Sequence, residues 1–352
     1  MEPVTHFLTG ACLGRSGFNR KAAYATLAMT LAAEAPDLDV LWGFAGPVAA
    51  FEHHRGWTHT FIGSPIVATV VVAIVWLLHR WRLKRKPALT TAAPVRWGLL
   101  WIFALIAALS HILLDWTNNY GIRPFFPFNP RWYSLDIVFI FEPVLFAILL
   151  LALVAPAIFA ATDSEVGARR QPFRGRGWAI FALATMAALW TWRAAEHHRA
   201  LGLMQNEYLQ GSTILRVAAE PSPINPFHWH GVAETPDYFQ LADIDTSTNT
   251  VLTDPQADTF YKPPVTLATL AAKRSWLGHV YLDWSSFPYV EDLGAANANA
   301  GPQTTTVSFR DLRFAYSALG IEGRRTTPLT GTVEVEGGRT VTRMAMGGRD
   351  QR

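Results

Sequence analysis

The chain has 352 residues, half of them hydrophobic and only 16% charged, with a formal charge of +3. Soluble domains carry about 25% charged residues, so the deficit points to a membrane. No basic face alternates with stacking aromatics, which excludes a nucleic-acid footprint, and the single cysteine, Cys12, excludes an internal disulfide framework.

The opening "MEPVTHFLTGACLG" carries Glu2 and no basic n-region, so it does not read as a cleaved signal peptide. The segments "VTHFLTGACLG" and "AAYATLAMTLAAEA" are apolar but short, and the turn "RSGFNRK" separates them. This pattern predicts a helical hairpin, spanning obliquely or re-entrant, as tolerated where protein buries the backbone. Pro36 ends the second helix, with Asp37 and Asp39 just beyond it. The stretch "EHHRGWTHT" at 52–60 then brings His53, His54 and His59 around Arg55 and Gly56.

Four apolar segments approach the roughly 20 residues that cross a bilayer: 60–78, 97–116, 136–161 and the shorter 177–192. Basic residues cluster at Arg15, Arg20 and Lys21, in "HRWRLKRK" after the first span, and at Arg169, Arg170, Arg174 and Arg176. The positive-inside rule places these connections in the cytoplasm, leaving 36–59, 117–135 and everything after about 195 outside. His6, Asp37, Asp39, His53, His54, His59, His111, Asp115 and Asp136 then converge on one membrane face, where scattered anchors would decorate both.

From about 196 the character changes. Strand-like runs ("STILRVAA", "FHWHGVAE", "DYFQLADI", "HVYLDWS", "TTTVSFRDLRF", "GTVEVEG") alternate with Pro and Gly clusters. "PVTLATLAAKR" reads as a helix, and the terminal "MAMGGRDQR" as disordered. The expected architecture is an α-helical polytopic membrane domain (1–195) carrying a metal site at its outer face, followed by a β-rich α+β extramembrane domain (196–352).

In "SHILLDW", His111 and Asp115 are four apart and share a helix face. A carboxylate and an imidazole inside an apolar span are costly unless paired or coordinated. Asp37, His54 and His59 are ligand candidates, because carboxylates and imidazoles suit zinc, manganese or iron. Gly56 would give the tight turn that brings Arg55 and His59 to one side. Arg55 suits a bidentate grip on a phosphate or carboxylate, and Thr58 could orient a ligand. His53, Asp39 and Asp136 are candidates for supporting or exposed positions. Glu142, before a kink expected at Pro143, could support the site or carry a proton. "HWH" at 228–230 puts two imidazoles on one strand face, as a packed or exposed pair.

"THFLTG", "PDLD", "HHRGWTHT" and "SHILLDW" together resemble, in order and spacing, the YdjM-like inner-membrane metal-dependent hydrolases. The order His, Asp, His and His-x-x-x-Asp is also similar to bacterial zinc-dependent phospholipases C. The resemblance covers about residues 1–160, and "NPFHW" and "FRDLRF" are similar to the C-terminal extension of longer members. It implies a divalent metal, most simply zinc, held by His6, Asp37, His54, His59, His111 and Asp115, in a bacterial inner membrane with the C-terminal domain periplasmic.

The leading expectation is a hydrolase at the outer interface, acting on a phosphoester of small-molecule or lipid type. Arg55, Asp37 and Asp115 are its candidate catalytic groups. A metal or proton transporter would need ionisable residues near the midplane, and 61–78, 97–110, 144–161 and 177–192 contain none. A non-catalytic scaffold with the β domain as binding module would leave the buried His and Asp residues unexplained.

Overall fold

The computed structural model describes residues 1–86, 91–165, 173–207, 209, 211–223, 225–295, 304–316 and 327–351. Arg169 and Arg170, the turn at 322–326 and Arg352 lie outside the described residues. The chain divides into two compact units, Met1–Asp39 with Arg55–Ala195, and Val40–His54 with Glu196–Arg352.

The first unit is helical. Helix α1 (Pro3–Arg15) starts with Glu2 accepting from the Thr5 amide, and α2 (Ala25–Glu34) packs against it. Gly10 and Gly14 permit that approach. A Cβ at Gly10 would stand 2.6 Å from the Met29 carbonyl oxygen, and one at Gly14 2.5 Å from Thr26 Cα. This is the small-xxx-small seam by which helices pack without large side chains. Ala25, Ala28 and Ala32 of α2 continue the small-residue surface, packing with Ala104 and Ala107 of α5 (Trp97–Thr117) and with Val71 and Val75 of α4 (Gly63–Arg85). Pro36 ends α2 as expected, and a 3-10 stretch (Ala35–Ala45) follows.

Among the described residues, three helices are long and apolar enough to cross a membrane: α4, α5 and the Pro143–Thr162 portion of α6 (Pro143–Glu165). Ile66, Val70 and Ile74 of α4, Ile102, Ile106 and Leu113 of α5, and Leu151 and Ile158 of α6 are exposed, as befits a helix whose solvent is hydrocarbon. Two expectations are corrected. The span expected over 136–161 becomes helical only at Pro143, because proline is suited to the first helical turn rather than to a kink within it. Residues 136–142 are not helical, and Val138 bridges Asn118. The fourth expected span lies in α7 (Arg176–Gln205), which is not among the three. Its apolar run is short and diluted by Trp190, Trp192 and Arg193, the last buried and donating to the Ile137 carbonyl at 2.8 Å.

The second unit contains two antiparallel five-stranded sheets. In the first, β1 (Arg216–Pro221), β2 (His228–Glu234), β3 (Tyr238–Asp245) and β4 (Thr250–Leu252) lie in that order, and β5 (Thr259–Tyr261) also pairs with β3. One β2–β3 surface, with Trp229, Ala233, Ala242 and Ile244, packs on Ala200 and Met204 of α7. The other, with Val232, Phe239 and Leu241, shares a core with Phe287, Tyr289 and Leu312. The second sheet runs β10–β9–β8–β7–β6: β6 (Pro288–Ala295), β7 (Thr304–Asp311), β8 (Gly331–Glu336), β9 (Thr340–Met346) and β10 (Arg349–Asp350). Helix α8 (Leu267–Lys273) and α9 (Trp276–Trp284) pack against it.

Three sequence expectations change here. "HVYLDWS" is not a strand: Ser275 caps α9 by accepting from the Gly278 amide, so the same apolar run buries a helical face through Leu277, Tyr281 and Trp284. "MAMGGRDQR" is ordered through Gln351. Gly347 and Gly348, at φ +56° and +75°, form the two-residue turn that pairs β9 with β10. Finally, Val40–His54, expected in the helical domain, belongs to the second unit. Its helix α3 (Pro47–His53) places Phe51 against Tyr281 and Trp284, and the Gln351 side chain accepts from the Val48 amide at 2.9 Å.

Candidate metal centre

Four side chains of the first unit converge. Asp37 follows α2, His59 precedes α4 in a 3-10 turn (Trp57–His59), and His111 and Asp115 occupy the last turns of α5. His59 Nε2 and His111 Nε2 are 2.9 Å apart. Asp37 Oδ1 lies 3.3 Å from the His59 nitrogen and 3.6 Å from the His111 nitrogen, and Asp115 Oδ2 lies 3.4 Å from each. Ligands about 2.0–2.1 Å from a tetrahedral zinc stand about 3.3–3.4 Å apart, so the donor set has the dimensions of one four-coordinate ion.

The protonation pattern makes the same point. His111 Nδ1 is 2.7 Å from the Ala33 carbonyl oxygen, which can only accept. His59 Nδ1 faces Asp39 Oδ2 at 3.3 Å and Thr58 Oγ1 at 3.0 Å. An acceptor at Nδ1 fixes the neutral tautomer whose lone pair is on Nε2. Two lone pairs therefore face each other at 2.9 Å, together with Asp115 Oδ2, a buried atom with no hydrogen-bond partner. A buried cluster of acceptors is costly, and a cation at its centre would remove the cost.

Asp115 is held from its other oxygen. Oδ1 accepts from Arg55 Nη2 at 2.8 Å and Asn118 Nδ2 at 3.2 Å, and the Met1 amino group also contacts it. Arg55 is 3% exposed. Its Nη1 donates to Asn118 Oδ1 and the Gly121 carbonyl, its amide to Asp39 Oδ2, and its guanidinium lies 4.7 Å from the Tyr120 ring centroid. Burial pushes this guanidinium down to about 10, which leaves it charged at neutral pH. The expected grip on a substrate phosphate gives way to a grip on Asp115. The tight turn expected at Gly56 falls at Arg55 instead, at φ +56° with Gly56 at −83°. The hydrogen bonds of Arg55 offset the left-handed backbone that a non-glycine residue disfavours.

The other candidates distribute around this core. His6 is fully buried, stacks on His111 with ring centroids 3.7 Å apart, and brings Nε2 to 3.3 Å from Asp115 Oδ1. Among the described residues neither of its ring nitrogens has a hydrogen-bond partner, and it stands beside the four-residue group rather than in it. Asp39 and Thr58 orient His59, as described. His54 is half-buried, belongs to the second unit, and is not in the group. His53 leans on Trp42 and lies 3.8 Å from Glu52. Asp136 is half-buried at φ +53°, and Glu142 accepts from the Val144 amide at the start of α6. Neither belongs to the group.

Two contributors escaped the sequence reading. Asn118 bridges Arg55 and Asp115, and its signal was available: it follows Asp115 by three residues, within one helical turn. The Ala33 carbonyl carries no side-chain signal at all. It reaches His111 because the alanine seam lets α2 approach α5.

Among known proteins, the chain is similar to a Bacillus subtilis (strain 168) protein described as uncharacterized protein YfhP, with 26% identity over 154 residues, 42% of this chain. The match spans 43% of that protein's length. No solved structure matches the chain. The model of the YdjM inner membrane protein family matches residues 1–200, which contain all four converging side chains, and the chain belongs to that family.

Proposed function

We propose that the chain is a membrane-bound, metal-dependent hydrolase acting on a phosphoester, of lipid type, at the outer membrane–water interface. The observation that carries this reading is the pair of facing Nε2 atoms, each with an acceptor at its Nδ1, closed by two carboxylates. A zinc, manganese or iron ion, when bound, supplies Lewis-acid polarisation and lowers the pKa of a water toward about 7. His59, His111 and Asp115 have fully buried side chains and are oriented from behind, so they are the fixed holders. The Asp37 side chain is 12% exposed, the most open of the four, and would be the group to accept the proton of a water bound beside it. Arg55 holds the Asp115 carboxylate in place through its hydrogen bond to Oδ1. The basic last turn of α4, with Arg82, Lys84 and Arg85, supports a cytoplasmic location for that end. The metal centre is then periplasmic, on a multi-pass protein of a bacterial inner membrane.

A second reading is a non-catalytic membrane scaffold stapled by a structural metal. It is favoured by a donor set that comes entirely from the protein, with three side chains fully buried, since structural zinc sites are closed. One experiment separates the two. The full-length protein in detergent is assayed for metal by elemental mass spectrometry and for hydrolysis of bis(p-nitrophenyl) phosphate and phospholipid micelles, beside a His59→Ala, Asp115→Ala variant. About one equivalent of metal and a hydrolysis that disappears with it are expected. Stoichiometric metal without hydrolysis of either substrate selects the scaffold, and no metal after reconstitution removes both readings.

A further inference from the structure

A second site lies at the other end of the same helices. The metal centre gathers at the start of α4 and the end of α5, whereas a cavity of about 530 Å³ opens beside the last turn of α4 and the segment leading into α5. The 23 residues of α4 separate the two ends by about 34 Å of helix. Arg15, Arg82 and Arg174 line the cavity, and no acidic residue does so among the described residues. Within the same limit, neither Arg15 nor Arg82 has a carboxylate partner. Arg15 donates to the Leu153 carbonyl at 3.1 Å, and the Arg82 guanidinium stands 5.7 Å from the Tyr24 ring centroid. Asn19 also lines the cavity.

We propose that this cavity binds the headgroup of an anionic phospholipid. The Arg15 and Arg82 guanidinium groups, which face no carboxylate among the described residues, call for a phosphate, which they hold by charge-assisted hydrogen bonds. The remaining wall is apolar, with Leu27, Pro156 and Ala160 among its residues. A free phosphate gains nothing from that wall, whereas a lipid sets its glycerol backbone and first methylenes against it. The position fits as well. Helices α4 and α6 are both long and apolar enough to span, and the cavity lies towards their C-terminal ends, where headgroups meet the protein. Basic pockets between spanning helices are the form that such recognition takes.

The test uses the full-length protein in a neutral detergent, with retained lipid read by native mass spectrometry. Phosphatidylglycerol should be retained and phosphatidylcholine lost. Arg82→Gln should weaken phosphatidylglycerol binding about fivefold, the value of one basic residue near an anionic headgroup. Arg15→Gln with Arg82→Gln should weaken it further; because Arg15 also bonds Leu153, the single Arg82 variant carries the test if the double variant does not fold. Arg85→Gln removes the same charge outside the cavity, beside Trp81, and should leave binding unchanged. Equal retention of the two lipids, or equal losses in the Arg82 and Arg85 variants, would overturn the proposal. Displacement of the lipid by millimolar inorganic phosphate would assign the cavity to a soluble phosphate and also overturn it. Metal content should not change in any arm.

Discussion

The orientation of His59 can be tested at Asp39. The tautomer of His111 is set by a backbone carbonyl, which substitution cannot remove, but that of His59 is set by side chains: the Thr58 hydroxyl 3.0 Å from Nδ1, which can donate or accept, and the Asp39 carboxylate at 3.3 Å, which accepts. Asp39→Asn keeps the shape and takes away the charge. Loss of such a carboxylate behind a ligating histidine costs about 10–100-fold in metal affinity, or about 1.4–2.7 kcal/mol. The same substitution weakens the hydrogen bond from the Arg55 amide, now 2.7 Å from Asp39 Oδ2. An amide oxygen still accepts there, so fold stability should fall by only about 1 kcal/mol. Metal affinity is therefore the larger effect, and the two can be separated. The assay is a zinc titration against a chromophoric chelator, with thermal unfolding of the metal-free protein as the control. An affinity within threefold of the parent, with unfolding unchanged, would refute the argument that Asp39 fixes the His59 tautomer.

Removing the metal should also destabilise the whole helical unit. Binding to the native state alone contributes about 2.7 kcal/mol at a free ion concentration of 100 Kd, so a chelator should lower the unfolding temperature and added zinc should restore it. Gly14→Leu places a side chain where even Cβ would meet Thr26 Cα at 2.5 Å. It should cost about 1–3 kcal/mol by overpacking and lower metal content, because α1 carries His6 and α2 presents the Ala33 carbonyl. In the second unit, burial pushes the Asp311 carboxyl up, but the Arg313 charge outweighs it, with hydrogen bonds from Arg313 and Ser285, and the group lies below the usual carboxylate range. Its contribution is present above the unfolded value of about 3.9 and is lost as pH falls through the lower folded value. Asp311→Asn should therefore cost about 3–5 kcal/mol at pH 7 by removing the carboxylate that faces the buried Arg313 guanidinium. The gap to the parent should close below about pH 4 in acid-unfolding curves.

Much of the candidate metal centre was legible because its constraints are local. His111 and Asp115 share a face by helical spacing alone, and an apolar helix leaves an imidazole and a carboxylate few inexpensive fates. Pro36 fixed where α2 stops and so where Asp37 begins. The long apolar runs likewise declared α4, α5 and most of α6, since bilayer thickness sets their length. The rest depended on distance. Whether His54 or His59 joined the cluster could not be read from adjacent histidines, because the chain passes from one unit to the other between His54 and Arg55. The role of Arg55 followed from burial: once it lies against Asp115 and Asn118, its charge is committed inside the protein. "HVYLDWS" carries an apolar pattern that a strand or a helix could bury, and the Ser275 cap with the sheet beneath it decided for the helix. The sequence by itself determined which groups could bind a metal and which segments could span. Only the tertiary structure decided which groups meet, because that depends on how closely the glycine and alanine seams let the helices approach.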